Sequence, residues 1–501
     1  MNEKYKKFLI NSASSFLYQM TNTVLVLITR GIFIYYIGVE ILGINNTVAS
    51  LISAFSLTEL GFQGVIIYNL YKPLNDKDYG KINKIMTVYR NIYRTIALIV
   101  LVVGICFVPI LPILLKGIEI NETVLSIYIL QIINVCISYL LSYKRTLLYA
   151  DNKDYYSKFV DMFFRIITNI LKILAVIYTK SIIAYLLLDI AYTALSNVLV
   201  HIWCNKLFSF LKATKFDKEI FKGMFNDVKN VFFGKVSGYI YTSTDNLVIS
   251  SILGPKFVTL LTNYTSLVLQ LKNIVNSLLY PIVPVIGRTI AGESNIKLMF
   301  NIYTQVRYFF AGILTIPTFI LIDDFICMWL GKTFVLSFLL KVLLIADFYI
   351  TIVYAPCYEF NNSKGLFSLE KNIMLLGAIT NIVTSIILSY ILRIEGVLIG
   401  TVISQIILWI ARSYICFKNV LEIDLKYYFS YWLSNFKNVL FNIIVLVIIL
   451  SLKNIIFIDI SISNFIFWGI ASVFLFTISF FIYYKKTDLI QLCINYVKGG
   501  K

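Results

Sequence analysis

Apolar runs long enough to cross a lipid bilayer recur from one end of this chain to the other. The hydrocarbon core of a bilayer is roughly 30 Å thick, and a helix needs about 20 residues to cross it. The run IALIVLVVGICFVPILPILL at 96–115 is apolar on every face, whereas strands of membrane β-barrels alternate apolar and polar residues. Hydrophobic residues make up 59% of the chain and charged residues only 14%, which leaves no room for a large soluble domain. We predict an all-α integral membrane protein.

The apolar runs predict about fourteen membrane-spanning helices. Their approximate bounds are 8–37, 41–70, 91–115, 122–149, 155–178, 181–204, 228–252, 257–282, 300–322, 334–360, 366–391, 396–417, 433–452 and 462–484. The longest polar stretch separates the first six from the last eight. Within it, FDKEIFKGMFNDV has apolar residues at helical spacing, which predicts an interfacial amphipathic helix.

This polar stretch defines the predicted domains. They are an amino-terminal lobe of six helices at 1–205, a cytoplasmic amphipathic linker at 206–229, a second six-helix lobe at 230–418, and two extra helices with a cytoplasmic tail at 419–501. A weak internal echo, a short sequence pattern that recurs in both lobes, supports two related lobes. Gly38 and Gly254 are each preceded by a pair of polar residues, eight and nine positions upstream.

The loops alternate between a basic set and a nearly uncharged set. About 30 Lys and Arg residues fall in the first set and about six in the second. Positive residues accumulate in cytoplasmic loops, so we expect both termini to be cytoplasmic. The formal net charge of +18 is therefore explained by topology, and binding of nucleic acid is not needed to account for it.

Cysteine and histidine usage argues against disulfide scaffolds and metal sites. The seven cysteines are scattered without a C-x-x-C pair, and His201 is the only histidine in the sequence. The alternative of an enzyme, a membrane-embedded polymerase or ligase, is less favoured, because no predicted outer loop is long enough to carry a set of catalytic groups. We expect neither a metal nor another cofactor, and we do not expect an enzyme.

Polar stripes run along four of the predicted spans. A charge at the bilayer centre costs at least about 2.5 kcal/mol, so such residues usually face protein or a water-filled cavity. We interpret the four stripes as the lining of one aqueous lumen. Their members are Ser12, Ser15, Gln19, Thr23 and Arg30; Asp161, Arg165, Thr168, Asn169 and Lys172; Lys235, Thr242, Asn246 and Ser250; and Asn263, Ser266, Gln270, Asn273 and Ser277.

Cations outnumber carboxylates within the spans, which favours an anionic cargo. The candidate substrate-binding residues of the lumen are Arg30, Arg165, Lys172, Lys235, Lys272, Asn246, Asn263 and Gln270. Alternatives remain for each residue. The uncharged members can serve as hydrogen-bonding contacts between helices, Lys235 and Arg412 can extend to the interface, and Arg165 can pair with Asp161 one turn away.

Three intramembrane carboxylates are candidates for coupling transport to an ion gradient. Glu59 and Asp347 lie near the middle of their spans, and Asp161 lies on the polar face of the fifth span. A carboxylate in a cavity that opens alternately to either side can exchange protons. The alternative for each is a structural ion pair with one of the cations.

The amino-terminal residues 29–78 resemble the signature of Wzx-type polysaccharide flippases, members of the multidrug/oligosaccharidyl-lipid/polysaccharide (MOP) exporter superfamily. The matching features are Arg30 in the first span, a turn with Gly38 and Gly43, ELG at 59–61 and LYKPL at 70–74. STDNLVISSILG at 243–254, followed by NYT, is similar to the start of the second lobe in that family. The strongest similarity is to capsular and exopolysaccharide versions from Gram-positive bacteria.

The resemblance implies a MOP/MATE-like fold of two six-helix lobes plus two carboxy-terminal helices, in the bacterial plasma membrane. The implied cargo is an oligosaccharide repeat unit on polyprenyl pyrophosphate, moved to the outer leaflet through a lumen in which Arg30, Arg165 and Lys172 match family cations. An H⁺ or Na⁺ gradient would supply the energy, because no GxxxxGK[ST] sequence is present. Glycosyltransferases and a polysaccharide polymerase are the implied partners. The rival cargoes are lipid II and, in a MATE-like exporter, drugs.

Overall fold

The computed structural model of the protein describes residues 3–55, 62–151, 153–279, 282–292, 295–422, 425–456, 460–485 and 487. Within these ranges the chain folds into nineteen α-helices and no β-strand. The helices of the first half are α1 (Glu3–Tyr36), α2 (Val39–Phe55), α3 (Phe62–Asp76), α4 (Tyr79–Cys106), α5 (Leu111–Leu114), α6 (Glu122–Ser142), α7 (Arg145–Ala150), α8 (Tyr155–Thr179) and α9 (Ile182–Leu207). Those of the second half are α10 (Lys218–Leu253), α11 (Pro255–Leu279), α12 (Val283–Ala291), α13 (Ile296–Leu330), α14 (Phe338–Val353), α15 (Ala355–Ser363), α16 (Phe367–Leu392), α17 (Ile394–Asn419), α18 (Leu425–Ile456) and α19 (Ile462–Tyr483).

The helices account for the predicted spans. Ten of the described helical stretches are long and apolar enough to cross a bilayer, and these include all or part of α1, α4, α6, α9 and α13 to α19. The helices α8, α10 and α11 have at least 25 residues each, or about 37 Å at 1.5 Å per residue, and also have the length to span. The pair α2 and α3 occupies the remaining predicted span. The all-α membrane fold of about fourteen spanning helices is confirmed.

Contacts divide the chain into two compact units, unit 1 (Met1–Thr259) and unit 2 (Leu260–Lys501). In unit 1, α8 packs against α1 and α9, α6 against α4 and α9, and α10 against α2. An apolar core fills the space among α3, α4, α6 and α9. In unit 2, α13 packs against α14 and α19, and α17 packs against α14, α15 and α16. The predicted lobe boundaries remain predictions.

The segment predicted to be an amphipathic linker has two parts. Residues 208–217 contain no helix, and α10 then begins at Lys218 and continues to Leu253, so the predicted amphipathic segment is continuous with the helix of the seventh predicted span. Asp217 caps this helix, because its carboxylate accepts hydrogen bonds of 3.1 Å from the backbone N–H groups of Ile220 and Glu219. The bond from Ile220 is also the main reason that the pKa of Asp217 is lowered.

The two glycines of the internal echo have the same conformation at equivalent turns. Gly38 connects α1 to α2 with φ +108°, and Gly254 connects α10 to α11 with φ +105°. Glycine adopts positive φ without the steric cost that a Cβ imposes. Gly43 in α2 has another role, since a Cβ there would collide with the backbone carbonyl of Pro255. The glycines of the turn motif therefore permit a tight connection and a close helix approach.

Helices α16 and α17 form a tight hairpin through small residues. A Cβ on Gly400 would lie 2.5 Å from the Ser385 hydroxyl oxygen and 2.7 Å from the Ser385 backbone nitrogen. Asn381 donates a 3.2 Å hydrogen bond to Thr401 across the same interface. Small residues allow membrane helices to approach closely enough for such contacts.

Substituting Gly400→Ala is expected to lower the stability of unit 2. The added methyl group must force α17 away from Ser385, at a cost of about 1–3 kcal/mol that outweighs the gain of up to about 1 kcal/mol in helix propensity. Thermal unfolding of the detergent-purified chain measures the effect. Gly469→Ala is the matched control, because a Cβ there meets only Leu321 at 3.6 Å, and its melting temperature should equal or exceed that of the wild type.

Candidate functional site

The polar stripe of the fifth predicted span lies on α8 and faces protein. Asp161, Thr168, Asn169 and Lys172 are all buried, as their spacing of three and four residues predicts. Helix α1 packs along this face, where Thr29 donates a 2.9 Å hydrogen bond to the Asn169 side chain. Helix α1, which carries the predicted stripe of the first span, therefore contacts the polar face of α8 inside unit 1.

Lys172 lies at the centre of a group supplied by two helices. Its ammonium forms an ion pair with Asp189 of α9 and lies 4.0 Å from the centre of the Tyr185 ring. Only 4% of Lys172 is exposed. A buried lysine needs a partner of this kind because an isolated charge is costly in a low-dielectric interior. Arg30 of α1 is close enough to Tyr185 for an electrostatic interaction between them.

Arg165 has an aromatic neighbour rather than the carboxylate considered from the sequence. Its guanidinium carbon lies 4.1 Å from the centre of the Tyr192 ring, and its Nε is buried without a hydrogen-bond partner. Among the described residues Arg165 forms no ion pair within 4.0 Å. The Arg165–Asp161 pair suggested from the sequence is therefore wrong. A different cation, Arg145, donates hydrogen bonds to both carboxylate oxygens of Asp161.

Arg145 is the residue of this region that sequence reasoning missed. It lies at the start of α7, and its two terminal nitrogens each donate a 2.8 Å hydrogen bond to Asp161. Its Nε donates a third bond, of 2.6 Å, to Asn197 of α9. In the sequence, Arg145 lies near the end of the predicted span 122–149, and its charge served only as a topology signal. These two hydrogen bonds make a bidentate ion pair with Asp161, which is one of the coupling candidates.

Helix α9 carries its own polar stripe, which was also missed. Tyr185, Asp189, Tyr192 and Ser196 follow one another at intervals of four, three and four residues, so they lie on one helical face. Each makes contact with a cation: Tyr185 and Asp189 with Lys172, Tyr192 with Arg165, and Ser196 with Arg145 at 3.4 Å. The spacing of these residues in the sequence could have revealed the stripe. It was missed because the two tyrosines look apolar when spans are assigned by hydropathy.

We call Arg30, Arg145, Arg165, Lys172, Asp161 and Asp189 the basic cluster. Its four cations and two carboxylates give it a net formal charge of +2. The adjacent pair of Lys158 and Asp154, 3.7 Å apart, adds no net charge. The cluster lies along the length of α8, within a part of the chain long enough to span the bilayer.

Unit 2 differs in that its buried cations are matched by carboxylates. Lys272 donates a 2.9 Å bond to Asp347, whose other oxygen accepts a 2.9 Å bond from Gln405. Four further pairs among the described residues of unit 2 are Arg307 with Glu359, Lys341 with Asp323, Arg412 with Glu370, and Lys453 with Asp324. The excess of positive charge in the described cores therefore belongs to unit 1.

Arg412 does not extend to the membrane interface as suggested from the sequence. It is 4% exposed, and its Nε donates a 3.0 Å bond to Glu370, which is 3% exposed. The rings of Tyr354 and Tyr358 lie 5.0 and 4.6 Å from its guanidinium carbon. Burial is possible because the carboxylate and the ring faces replace the water that the interface would have supplied.

The remaining predicted site residues belong to α10 and α11 or lie outside the described part of the structure. Asn246 of α10 donates a 3.1 Å bond to Ser50 of α2, Asn263 of α11 is fully buried, and Gln270 of α11 is half-buried. Glu59 and the side chain of Lys235 lie outside the described residues. The described part of the chain holds no group of three potential metal ligands.

Comparison with solved structures places this arrangement in a known fold. A lipid II flippase, MurJ, in an inward closed conformation superposes with a TM-score of 0.73, covering 95% of this chain and 99% of that chain at 16% identity. An inward-facing multidrug MATE transporter of the MOP superfamily gives a TM-score of 0.60, covering 80% and 96% of the two chains at 14% identity.

The chain has the MurJ/MATE fold. A further structure with this fold is a MOP-superfamily transporter from Pyrococcus furiosus, with a TM-score of 0.53, 15% identity, and coverage of 82% of this chain and 96% of that chain. It is described as having a binding pocket of reversed polarity that suggests a different function. No protein-family profile and no curated protein sequence matches this chain. Within the fold, the basic cluster lies in the half of the chain that precedes α11.

Proposed function

We propose that the protein is a flippase that moves oligosaccharide repeat units on polyprenyl pyrophosphate from the inner to the outer leaflet. The observation that carries this proposal is the net positive charge of the partly buried basic cluster, in a chain that has the fold of a lipid II flippase. Charged residues within membrane spans often mark a substrate or ion pathway.

The chemistry of the cluster fits a pyrophosphate. A pyrophosphate diester carries about two negative charges, which equal the +2 of the cluster. Arginine guanidinium groups bind phosphate oxygens through paired N–H donors, and a lysine ammonium adds a compact charge. Arg165 has an unpartnered Nε, and Lys172 lies two turns away on the same face of α8. The polyprenyl tail would remain in lipid while these groups hold the charged headgroup.

Coupling to an ion gradient is part of the proposal. Of the three candidate carboxylates, Asp347 fits best because its partners are one ammonium and one amide, which protonation of the carboxylate would release. Asp161 is held by two bonds from Arg145 and is the poorer candidate. We place both termini in the bacterial cytoplasm and propose glycosyltransferases and a polymerase as partners. We assign no cofactor and no catalytic reaction.

Lipid II is the second candidate cargo, and a specific observation favours it. The lipid II flippase gives a TM-score of 0.73 and covers 95% of this chain, compared with 0.60 and 80% for the MATE transporter. Lipid II is also a polyprenyl pyrophosphate, so the charge of the cluster suits both cargoes. Export of cationic drugs is disfavoured, since a cationic cluster would repel them.

Complementation of two bacterial strains separates the two cargoes. We expect the protein to restore surface polysaccharide in a strain that lacks its repeat-unit flippase, and to leave a strain depleted of its lipid II flippase inviable. Immunoblotting of membranes verifies expression in both hosts. Rescue of the second strain alone would identify lipid II as the cargo, and rescue of neither strain by well-expressed protein would contradict a flippase function.

A further inference from the structure

A cavity of about 370 Å³ lies in unit 1, and Lys144 in its wall directly precedes Arg145 of the basic cluster. Its walls come from the first half of α4, the ends of α6 and α9, and the segment 211–213 that precedes α10. None of its lining residues belongs to the basic cluster. The volume falls within the range of roughly 300–1,000 Å³ that small-molecule sites occupy. These elements meet at the face of the chain that the loop charges predict to be cytoplasmic.

The cavity is lined by cations and by no carboxylate. Arg90, Arg94, Lys144 and Lys212 contribute four positive charges. Within the described part of the chain none of the four forms an ion pair, although eleven pairs occur elsewhere in it. Lys144 is only 8% exposed. A buried ammonium without a counter-ion is costly, which indicates that an anion from outside the chain completes the site.

Hydrogen-bond donors in the cavity wall are left without acceptors. The Lys144 ammonium lies 3.1 Å from Nε2 of His201 and also donates to Asn205. Because an ammonium can only donate, Nε2 must accept, and the histidine proton then lies on Nδ1. This Nδ1 is buried without a partner, as is Nε of Arg90. His201 and Arg90, both lining residues of the cavity, thus each hold a buried donor without an acceptor.

The loop that closes the cavity is fixed to α4 by its backbone. The N–H of Lys212 donates a 3.1 Å bond to Asn83, and the N–H of Thr214 donates a 3.1 Å bond to Thr87. Asn83 in turn donates a 3.0 Å bond to the carbonyl of Phe210. Lys212 is therefore held beside Arg90 and Arg94 by three bonds that do not involve its own charge.

We propose that this cavity binds a phosphate monoester, whose dianionic phosphoryl group contacts Arg90 and Lys144 while its organic part lies against Leu140 and Tyr143. A dianion with three strong acceptor oxygens matches four cations better than a carboxylate does. The phosphoryl group can come from a soluble metabolite or from the headgroup of an anionic lipid such as phosphatidic acid. Since the site shares no residue with the basic cluster, the proposal does not depend on the transported cargo.

The test measures binding to the purified full-length chain at constant ionic strength. Glycerol 3-phosphate added to protein in a neutral detergent probes the soluble source, and phosphatidic acid in phosphatidylcholine nanodiscs probes the lipid source. We expect at least one probe to raise the melting temperature of the wild type in a concentration-dependent manner. Arg90→Gln/Lys144→Gln should weaken the apparent affinity at least tenfold.

Two further variants guard against effects on folding. Arg94→Gln/Lys212→Gln changes exposed side chains of the same cavity and should also weaken binding, while its melting temperature without probe stays at the wild-type value. Lys81→Gln removes an exposed cation of α4 outside the cavity and should bind as the wild type does. Stabilisation by neither probe beyond that given by chloride, or equal stabilisation of wild type and both cavity variants, would overturn the proposal.

Discussion

Neutralising Arg165 and Lys172 together to Gln is expected to stop surface polysaccharide production without lowering the amount of protein in the membrane. Each residue is proposed to hold the pyrophosphate through charge-assisted hydrogen bonds worth about 1.5–3 kcal/mol. Losing both should lower the export rate about 100-fold or more. Quantification of surface polymer and of membrane protein by immunoblotting in the complemented strain measures the two effects.

Matched variants separate cargo binding from structure. Lys81→Gln/Lys180→Gln removes the same two charges from exposed positions and should export normally. Lys172→Gln/Asp189→Asn removes both members of the buried pair, so it leaves no unmatched carboxylate. If Lys172 served only to balance Asp189, this double variant would regain export. We expect it to remain defective, and wild-type export by Arg165→Gln/Lys172→Gln would contradict the assignment of the cluster.

Replacing Arg412 by Met is expected to destabilise unit 2 by about 3–5 kcal/mol, because it leaves Glu370 buried without its cation. From the described part of the chain, the carboxylate would retain only the 2.8 Å bond from Asn361. The free energy of unfolding should therefore fall more than for any surface substitution. Thermal unfolding of the purified protein measures the change as a lower melting temperature.

The double variant Arg412→Met/Glu370→Leu provides the second arm of this experiment. Removing both charges eliminates the unmatched carboxylate, so stability should recover in large part toward the wild-type value. Lys418→Met on the same helix α17 is the control, since Lys418 is exposed, and it should melt as the wild type does. An Arg412→Met protein that melts with the wild type would show that the pair contributes little.

The sequence predicted the fold well because apolar length and loop charge are properties of single segments. A run of 20 apolar residues has few alternatives to a membrane helix, whatever it packs against. The stripe on α8 was predicted for a similar reason, since residues three and four apart must share a helical face. Gly38 and Gly254 were located correctly at turns because helices that end there need a positive φ.

The partners of the charged residues could not be predicted, because they come from other segments. Asp161 had a nearby cation on its own helix in Arg165, but Arg145 from α7 reaches it with better geometry. Lys172 had no carboxylate on its helix and finds Asp189 on α9. Arg412 was assigned to the interface because nothing in its neighbourhood along the chain indicated Glu370 of α16. Tertiary contacts decide each of these cases.

The cationic cavity was invisible to sequence reasoning for the same reason. Arg90, Lys144 and Lys212 belong to three basic segments, and each contributes to the charge asymmetry that predicts topology. Only packing of α4, α6 and α9 brings them together. Basic residues in the loops therefore have two roles here, in topology and in the cavity. A count of these residues along the sequence does not show which role each one has.

Translocation in proteoliposomes is the most direct test of the central proposal that the basic cluster carries a pyrophosphate-linked sugar across the bilayer. Purified protein is reconstituted with a fluorescent oligosaccharide on polyprenyl pyrophosphate, and an impermeant reductant reports the fraction of the probe in the outer leaflet. We predict that the wild type exchanges the probe between leaflets and that Arg165→Gln/Lys172→Gln does not. Two results would contradict the central proposal. One is exchange of the probe at equal rates by the wild type and the variant, and the other is no exchange by a wild type that remains folded after reconstitution.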